Sequence, residues 1–308
     1  MKHGFRALVL LAFATTAADA QVIITLKDSF IKEFENRATI TANYTVVHTH
    51  HKPNRPKDDG DIHAAGFAPE IGLNTVAEIM NAAQEKPAMN AIIAAEGTDK
   101  TVKITGAWRL WPEHAGGDPQ VQDFSKDRTD EITNTNPDHV FQIHPIASVN
   151  AIDVRNGFHP IAGFTPKDAE NAFTRYENIR CKLSHNDADQ TTTIRTNMTG
   201  FNYVKFRMDL LDVPQAFRAG DGSVAFASVS TVDGDLLARK RRMIFLKGTP
   251  PEKAAMKLKK GGHLIVLGIP RIDLALVDFR IQNANKNPDD LDWNLPYEIV
   301  VVGVFTEE

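Results

Sequence analysis

From residue 38 to residue 49 the chain alternates between two kinds of side chain. Ile40, Ala42, Tyr44, Val46 and His48 fall on one face, and Thr39, Thr41, Asn43, Thr45 and Thr49 on the other. A period of two over that length, rich in β-branched residues, predicts a long half-buried β-strand. Further strands are predicted over residues 61–67 and 73–80. A short Ala/Ile/Met-rich helix follows over 87–96, stopped by Gly97, and then strands over 101–110 and 139–146. After Gly200 the same order returns. Strands are predicted over 201–211, 223–231 and 236–246, a Pro-initiated helix over 250–260 ending at Gly261, and strands over 263–269 and 297–305. In both halves a long polar loop precedes the last strand, residues 111–136 and 283–294.

Three strands, a helix and two more strands is the order of the OB-fold, a five-stranded Greek-key barrel. The expected fold is therefore mainly β, with two tandem OB-fold-like five-stranded barrels and short helices; another small β-barrel is the alternative. Residues 21–150 form the first domain, 151–200 a connector and 201–308 the second domain. Residues 24–37 read as a lead-in. Within the connector a helix is predicted over 166–176, with Thr165 as N-cap and Pro166 at the first helical position.

Residues 1–20 read as a secretory signal peptide: Lys2, His3 and Arg6, a short apolar run from Ala7 to Ala14, and small residues closing at Ala20. A secreted or periplasmic location follows from that reading. No later stretch reaches about 18 apolar residues, so no membrane span is expected. Cys181 is the sole cysteine, which excludes an intrachain disulfide and leaves it buried or paired with another chain. Residues 21–150 carry 12 Lys/Arg against 18 Asp/Glu, and residues 151–308 carry 21 against 20. Neither half has the bulk basicity of a nucleic-acid binder.

Seven of the eleven histidines lie between His48 and His144. Asp59, Asp61 and His63 stand at i, i+2 and i+4, which puts all three on one face if the strand begins at Asp59. Carboxylates and imidazoles in that pattern suit a divalent metal, and His114, His139 and His144 are the candidates to complete the set. The alternative is that Asp59-Gly60 is turn chemistry. Trp108 and Trp111 around Arg109 would offer a stacking surface for a ligand, unless Trp108 belongs to the core and only Trp111 is exposed. Arg239 and Arg241, in the run Arg239-Lys240-Arg241-Arg242, would meet an acidic ligand or protect a sheet edge. No nucleophile elbow, zinc-protease motif or phosphate loop is present.

Three segments carry a resemblance. Asp59-Gly60-Asp61-Ile62-His63, Ile104-Thr105-Gly106-Ala107-Trp108 and Asn136-Pro137-Asp138-His139-Val140-Phe141-Gln142-Ile143-His144-Pro145 resemble small bacterial secreted proteins with Asp-Gly-Asp-x-His and Ile/Leu-His-Pro motifs. The resemblance covers residues 38–146 and implies an OB-like fold, with His114 matching the loop histidine; it implies no activity. The chain departs from that pattern in replacing a short Gly-rich loop after His114 with a longer acidic insertion. The functional expectation is a binding protein whose ligand is an oligosaccharide, a nucleic acid or a protein. A metal-dependent hydrolase or nuclease using Asp59, Asp61, His63 and His144 is the alternative, and a structural envelope protein the third reading.

Overall fold

A computed structural model describes residues 21–283 and 292–306. The expected signal peptide lies outside the described residues, as does most of the loop expected over 283–294. The described chain opens with strand β1 (Gln21–Lys27) and helix α1 (Asp28–Phe34), where only a lead-in was expected. The first barrel follows: β2 (Thr39–Thr49), β3 (Ile62–Phe67), β4 (Thr75–Ile79), helix α2 (Lys86–Ile93), β5 (Thr101–His114) and β6 (His139–Val149). Neighbours run β4-β3-β2-β5-β6, and parallel pairing of Thr75 with Phe141 through Ala77 with Ile143 closes the ring. With strands counted within the barrel, that order is 1-2-3-5-4-1, the OB arrangement.

The interior follows from the alternation. Ile40, Ala42, Tyr44 and Val46 all point inward. The Tyr44 hydroxyl crosses the barrel to the carbonyls of Ala64 and Thr75, at 2.8 and 2.6 Å. Gly66 is the residue that lets strands approach there, because a Cβ would sit 2.1 Å from the Thr45 carbonyl oxygen and against the Tyr44 ring. Helix α2 plugs one end of the barrel with Ala88 and Ile92. The structure thus bears out the expected barrel while lengthening β5 and β6 beyond their predicted ends.

Helix α3 (Ala169–Asn178) and a hairpin, β7 (Arg180–Asn186) and β8 (Thr191–Asn197), occupy the stretch between the barrels. The helix starts later than predicted. Asp168, not Thr165, is its N-cap, accepting a hydrogen bond from the Asn171 amide at 3.0 Å. β8 pairs with β1, and residues 120–121 and 292–294 flank the two outer edges, giving a third sheet of five strands. Cys181 is buried on β7.

The second barrel repeats the first: β9 (Val204–Leu210), β10 (Gly222–Ser230), β11 (Leu236–Leu246), helix α4 (Pro250–Ala255), β12 (His263–Ile272), helix α5 (Leu274–Asn283) and β13 (Tyr297–Val304). Its order, β10-β11-β13-β12-β9 closed by β9 on β10, is again 1-2-3-5-4-1. The barrels meet through their fourth strands in a reciprocal contact. Arg109 on β5 donates to the carbonyl of Pro270 at 3.0 Å, and Arg271 on β12 donates to the carbonyl of Trp108 at 3.0 Å. Each arginine also holds its cross-strand neighbour on strand five, Gln142 for Arg109 and Glu298 for Arg271. Around this contact lies an apolar layer that includes Ala107, Ala147, Phe158, Leu267, Ile269 and Val300.

Candidate metal centre

The approach to β3 is a tight turn. Residues 56–58 form one 3-10 turn, and Asp59 and Gly60 both have positive φ, 145° and 71°. Asp59 Oδ1 accepts from Asn54 Nδ2 at 2.9 Å and from the Asp61 amide at 3.2 Å. Asp59 is therefore turn chemistry, and the expectation that it joins a ligand set is corrected: the strand begins at Ile62, so the three-residue face does not extend back to it. The same turn delivers Asp61 into a fully buried position.

Three strands bring the other members together. His63 on β3 lies opposite Glu78 on β4. His144 on β6 follows Ile143, which pairs with Ala77 next to Glu78. Ligand atoms from Asp61, Glu78 and His144 all lie within 4.8 Å of one another, and these residues are 0, 2 and 0 % exposed. Glu78 Oε2 is 3.4 Å from His63 Nε2 and 3.5 Å from His144 Nδ1. Ligand atoms of a tetrahedral ion with bonds of about 2.1 Å stand about 3.4 Å apart.

The hydrogen bonding divides Asp61 and His144 each into a held atom and an unmatched one, and holds one oxygen of Glu78. Asp61 Oδ2 accepts from the Tyr203 hydroxyl at 2.6 Å, and His144 Nε2 is 2.7 Å from the same hydroxyl. Glu78 Oε1 accepts from Gln142 Nε2 at 2.7 Å. By contrast Asp61 Oδ1, His144 Nδ1 and His63 Nε2 are buried with no hydrogen-bond partner among the described residues. Buried polar atoms are ordinarily satisfied, yet two of these, His144 Nδ1 and His63 Nε2, face the same Glu78 Oε2 at 3.5 and 3.4 Å.

Without a cation, burial decides the protonation of this cluster. It pushes the Asp61 carboxyl well up, with neighbouring Asp59 adding to the rise, and it pushes Glu78 up as well. Burial takes His144 down to about 4. A positive charge placed between these groups would favour the ionised form of both carboxyls. Two imidazoles in the set favour a first-row transition ion over calcium, which prefers oxygen.

The remaining expected residues go elsewhere. His139 and His114 stack on each other at 5.0 Å, one step removed from Glu78. His139 Nδ1 donates to the Pro137 carbonyl at 2.7 Å, and its Nε2 faces Gln142 at 3.2 Å. Both nitrogens are used, so His139 is a support for Gln142, and neither it nor His114 joins the cluster. Trp108, Arg109 and Trp111 form no stacking surface, because all three are buried. Trp108 donates to the Arg37 carbonyl and lies under the Arg271 guanidinium at 3.5 Å, while Trp111 packs edge-on against Tyr176. On β11, Arg239 is exposed, whereas Arg241 is held by Glu177 and stacked on Tyr297 at 4.7 Å, which removes it from a ligand surface. The outer face of β3 and β4, where OB barrels commonly receive oligonucleotides, is closed in this barrel: Ile132 of the long loop packs on Ala65, Phe67 and Val76.

Sequence reading missed Glu78 and Tyr203. Glu78 had a signal, being the single charge in Thr75-Val76-Ala77-Glu78-Ile79-Met80, a run buried on both faces. Tyr203 had none, since it comes from the other half of the chain.

Fold and site together define a double-OB-barrel protein with a buried carboxylate–imidazole centre in its first barrel. No family model and no curated protein matches the chain. Among solved structures, the chain is similar to wild-type single-stranded DNA binding protein from Thermus aquaticus, at 9% identity over 89% of this chain and 93% of that one, with a TM-score of 0.22. The fold assignment rests on the strand order itself. No helix among the described residues is long and apolar enough to cross a membrane.

Proposed function

We propose that this chain is a secreted or periplasmic binding protein, the location argued from its N-terminal signal-like sequence, and that its first barrel binds one divalent transition-metal ion. Asp61, Glu78 and His144 would hold the ion, with His63 as the fourth ligand. The observation that carries this reading is that His144 Nδ1 and His63 Nε2, both unmatched, face Glu78 Oε2 with the Asp61 carboxylate grouped beside them, while other polar atoms of Asp61, Glu78 and His144 are held by Tyr203 and Gln142. Ligands oriented through their non-coordinating atoms are the habit of metal sites. A bound ion would supply the positive charge that lets both carboxylates ionise in the interior.

The same geometry favours binding over hydrolysis. A catalytic ion keeps a coordination position that substrate can reach, whereas Asp61, Glu78 and His144 are sealed from solvent and Tyr203 covers two of them. An oligonucleotide on the first barrel is disfavoured by the closed outer face of β3 and β4.

The test is metal content by mass spectrometry on untagged protein purified without chelator, followed by titration with zinc and manganese. About one ion per chain is expected, lost in Glu78→Gln and His144→Ala and kept in His51→Ala, an exposed histidine paired with Glu96. Absence of stoichiometric metal together with no uptake on titration would overturn the proposal.

A further inference from the structure

We infer that Tyr203 is a positioning residue that turns the metal centre into a joint property of the two barrels, so that ion binding and barrel docking stabilise each other. The inference rests on the metal-binding reading above and adds a regulator to it. Tyr203 immediately precedes β9, the first strand of the second barrel, and its carbonyl accepts from the Lys167 amide at 2.8 Å. Its ring is buried against the edge of Phe164 at 5.5 Å and of His144 at 5.4 Å. The residue is therefore anchored in the second half of the chain while its hydroxyl reaches the centre of the first.

That one hydroxyl sets two ligands. An ionised carboxylate only accepts, so the phenol donates its proton to Asp61 Oδ2. Its oxygen is then left to accept from His144 Nε2–H, at 2.7 Å. This places the imidazole proton on Nε2 and leaves the Nδ1 lone pair facing Glu78 Oε2. It also turns Asp61 so that Oδ1 is the unmatched oxygen. With the second barrel displaced, Asp61 and His144 would lose the group that chooses their coordinating atoms. By linkage, whatever the docked barrel adds to ion affinity the ion returns as barrel docking.

The experiment compares wild type with Tyr203→Phe, which keeps the ring packing and removes only the hydroxyl. Affinity is measured by competition with a chromophoric chelator, using zinc alone, and coordination by the visible absorption of the cobalt(II)-loaded protein. The expected result is a roughly 10–100-fold loss of zinc affinity with the cobalt band unchanged, since the ligands are the same. Equal affinity would overturn the inference, and a changed cobalt band would do so by making Tyr203 a ligand. If wild type takes up no ion, the centre itself fails, which is a separate result. Should Tyr203→Phe not fold, hydrogen exchange in wild type decides: amides of residues 203–210 exchange more slowly with zinc than without, and identical exchange overturns the coupling.

Discussion

Acid should weaken this protein through His139, and the size of the effect can be worked out. Arg109 only donates, so the Gln142 atom it meets must be the carbonyl oxygen, and Gln142 Nε2 then points at both Glu78 Oε1 and His139 Nε2. His139 must accept there, while its Nδ1–H is committed to the Pro137 carbonyl. Protonation would set an N–H against an N–H inside the protein. Burial is the main reason the ring falls from 6.5 to about 3, partly opposed by the Pro137 hydrogen bond. The folded-state value lies below the unfolded one, so the folded state binds fewer protons. The associated stability is complete above pH 6.5 and is lost as pH falls from there toward 3.

At about 1.4 kcal/mol per pH unit, the full loss is about 5 kcal/mol, of which about 3 kcal/mol is gone by pH 4.5. Asp61 and Glu78 shift in the opposite sense and His144 in the same sense. The measurement is therefore a difference between proteins. Urea unfolding of wild type and His139→Gln at pH 7.5 and 4.5, without added metal, should show the wild-type advantage shrinking by about 3 kcal/mol. A difference that does not vary with pH would refute the reasoning.

Two further outcomes concern the scaffold. Arg271→Leu leaves Glu298 buried with only Arg242 nearby and removes the guanidinium donors from the carbonyls of Ala38 and Trp108; a loss of about 3–5 kcal/mol is expected in urea unfolding. Adding Glu298→Leu should recover part of it, and a double variant as unstable as the sum would contradict the ion-pair account. Gly66→Ala should cost about 3 kcal/mol or more, or yield no folded protein, because its Cβ would press on the Thr45 carbonyl oxygen. A thermal midpoint equal to wild type would show that β2 and β3 can separate there.

The extent to which this molecule was legible beforehand follows from what periodicity encodes. Alternation along 39–49, and the same order of predicted strands with a helix between the third and fourth in each half, determined two barrels and their order. Strand pattern specifies which side chains face inward, and the interior of a five-stranded barrel is closed by its own strands. Asp61 and His144 were also within reach, as acid and imidazole at strand ends. What covers the outer faces was not encoded locally. Trp108, Arg109 and Trp111 read as a ligand surface because nothing in residues 101–114 announces that β12 and helix α3 will bury them. The third sheet likewise gathers residues 21–27, 120–121, 180–197 and 292–294 from four separate places. Glu78 acquires its role from β6, and the orientation of Asp61 and His144 comes from a tyrosine 142 and 59 residues away. A local pattern records the side on which a group stands; its partner, and therefore its chemistry, is set by which distant surface the folded chain lays against it.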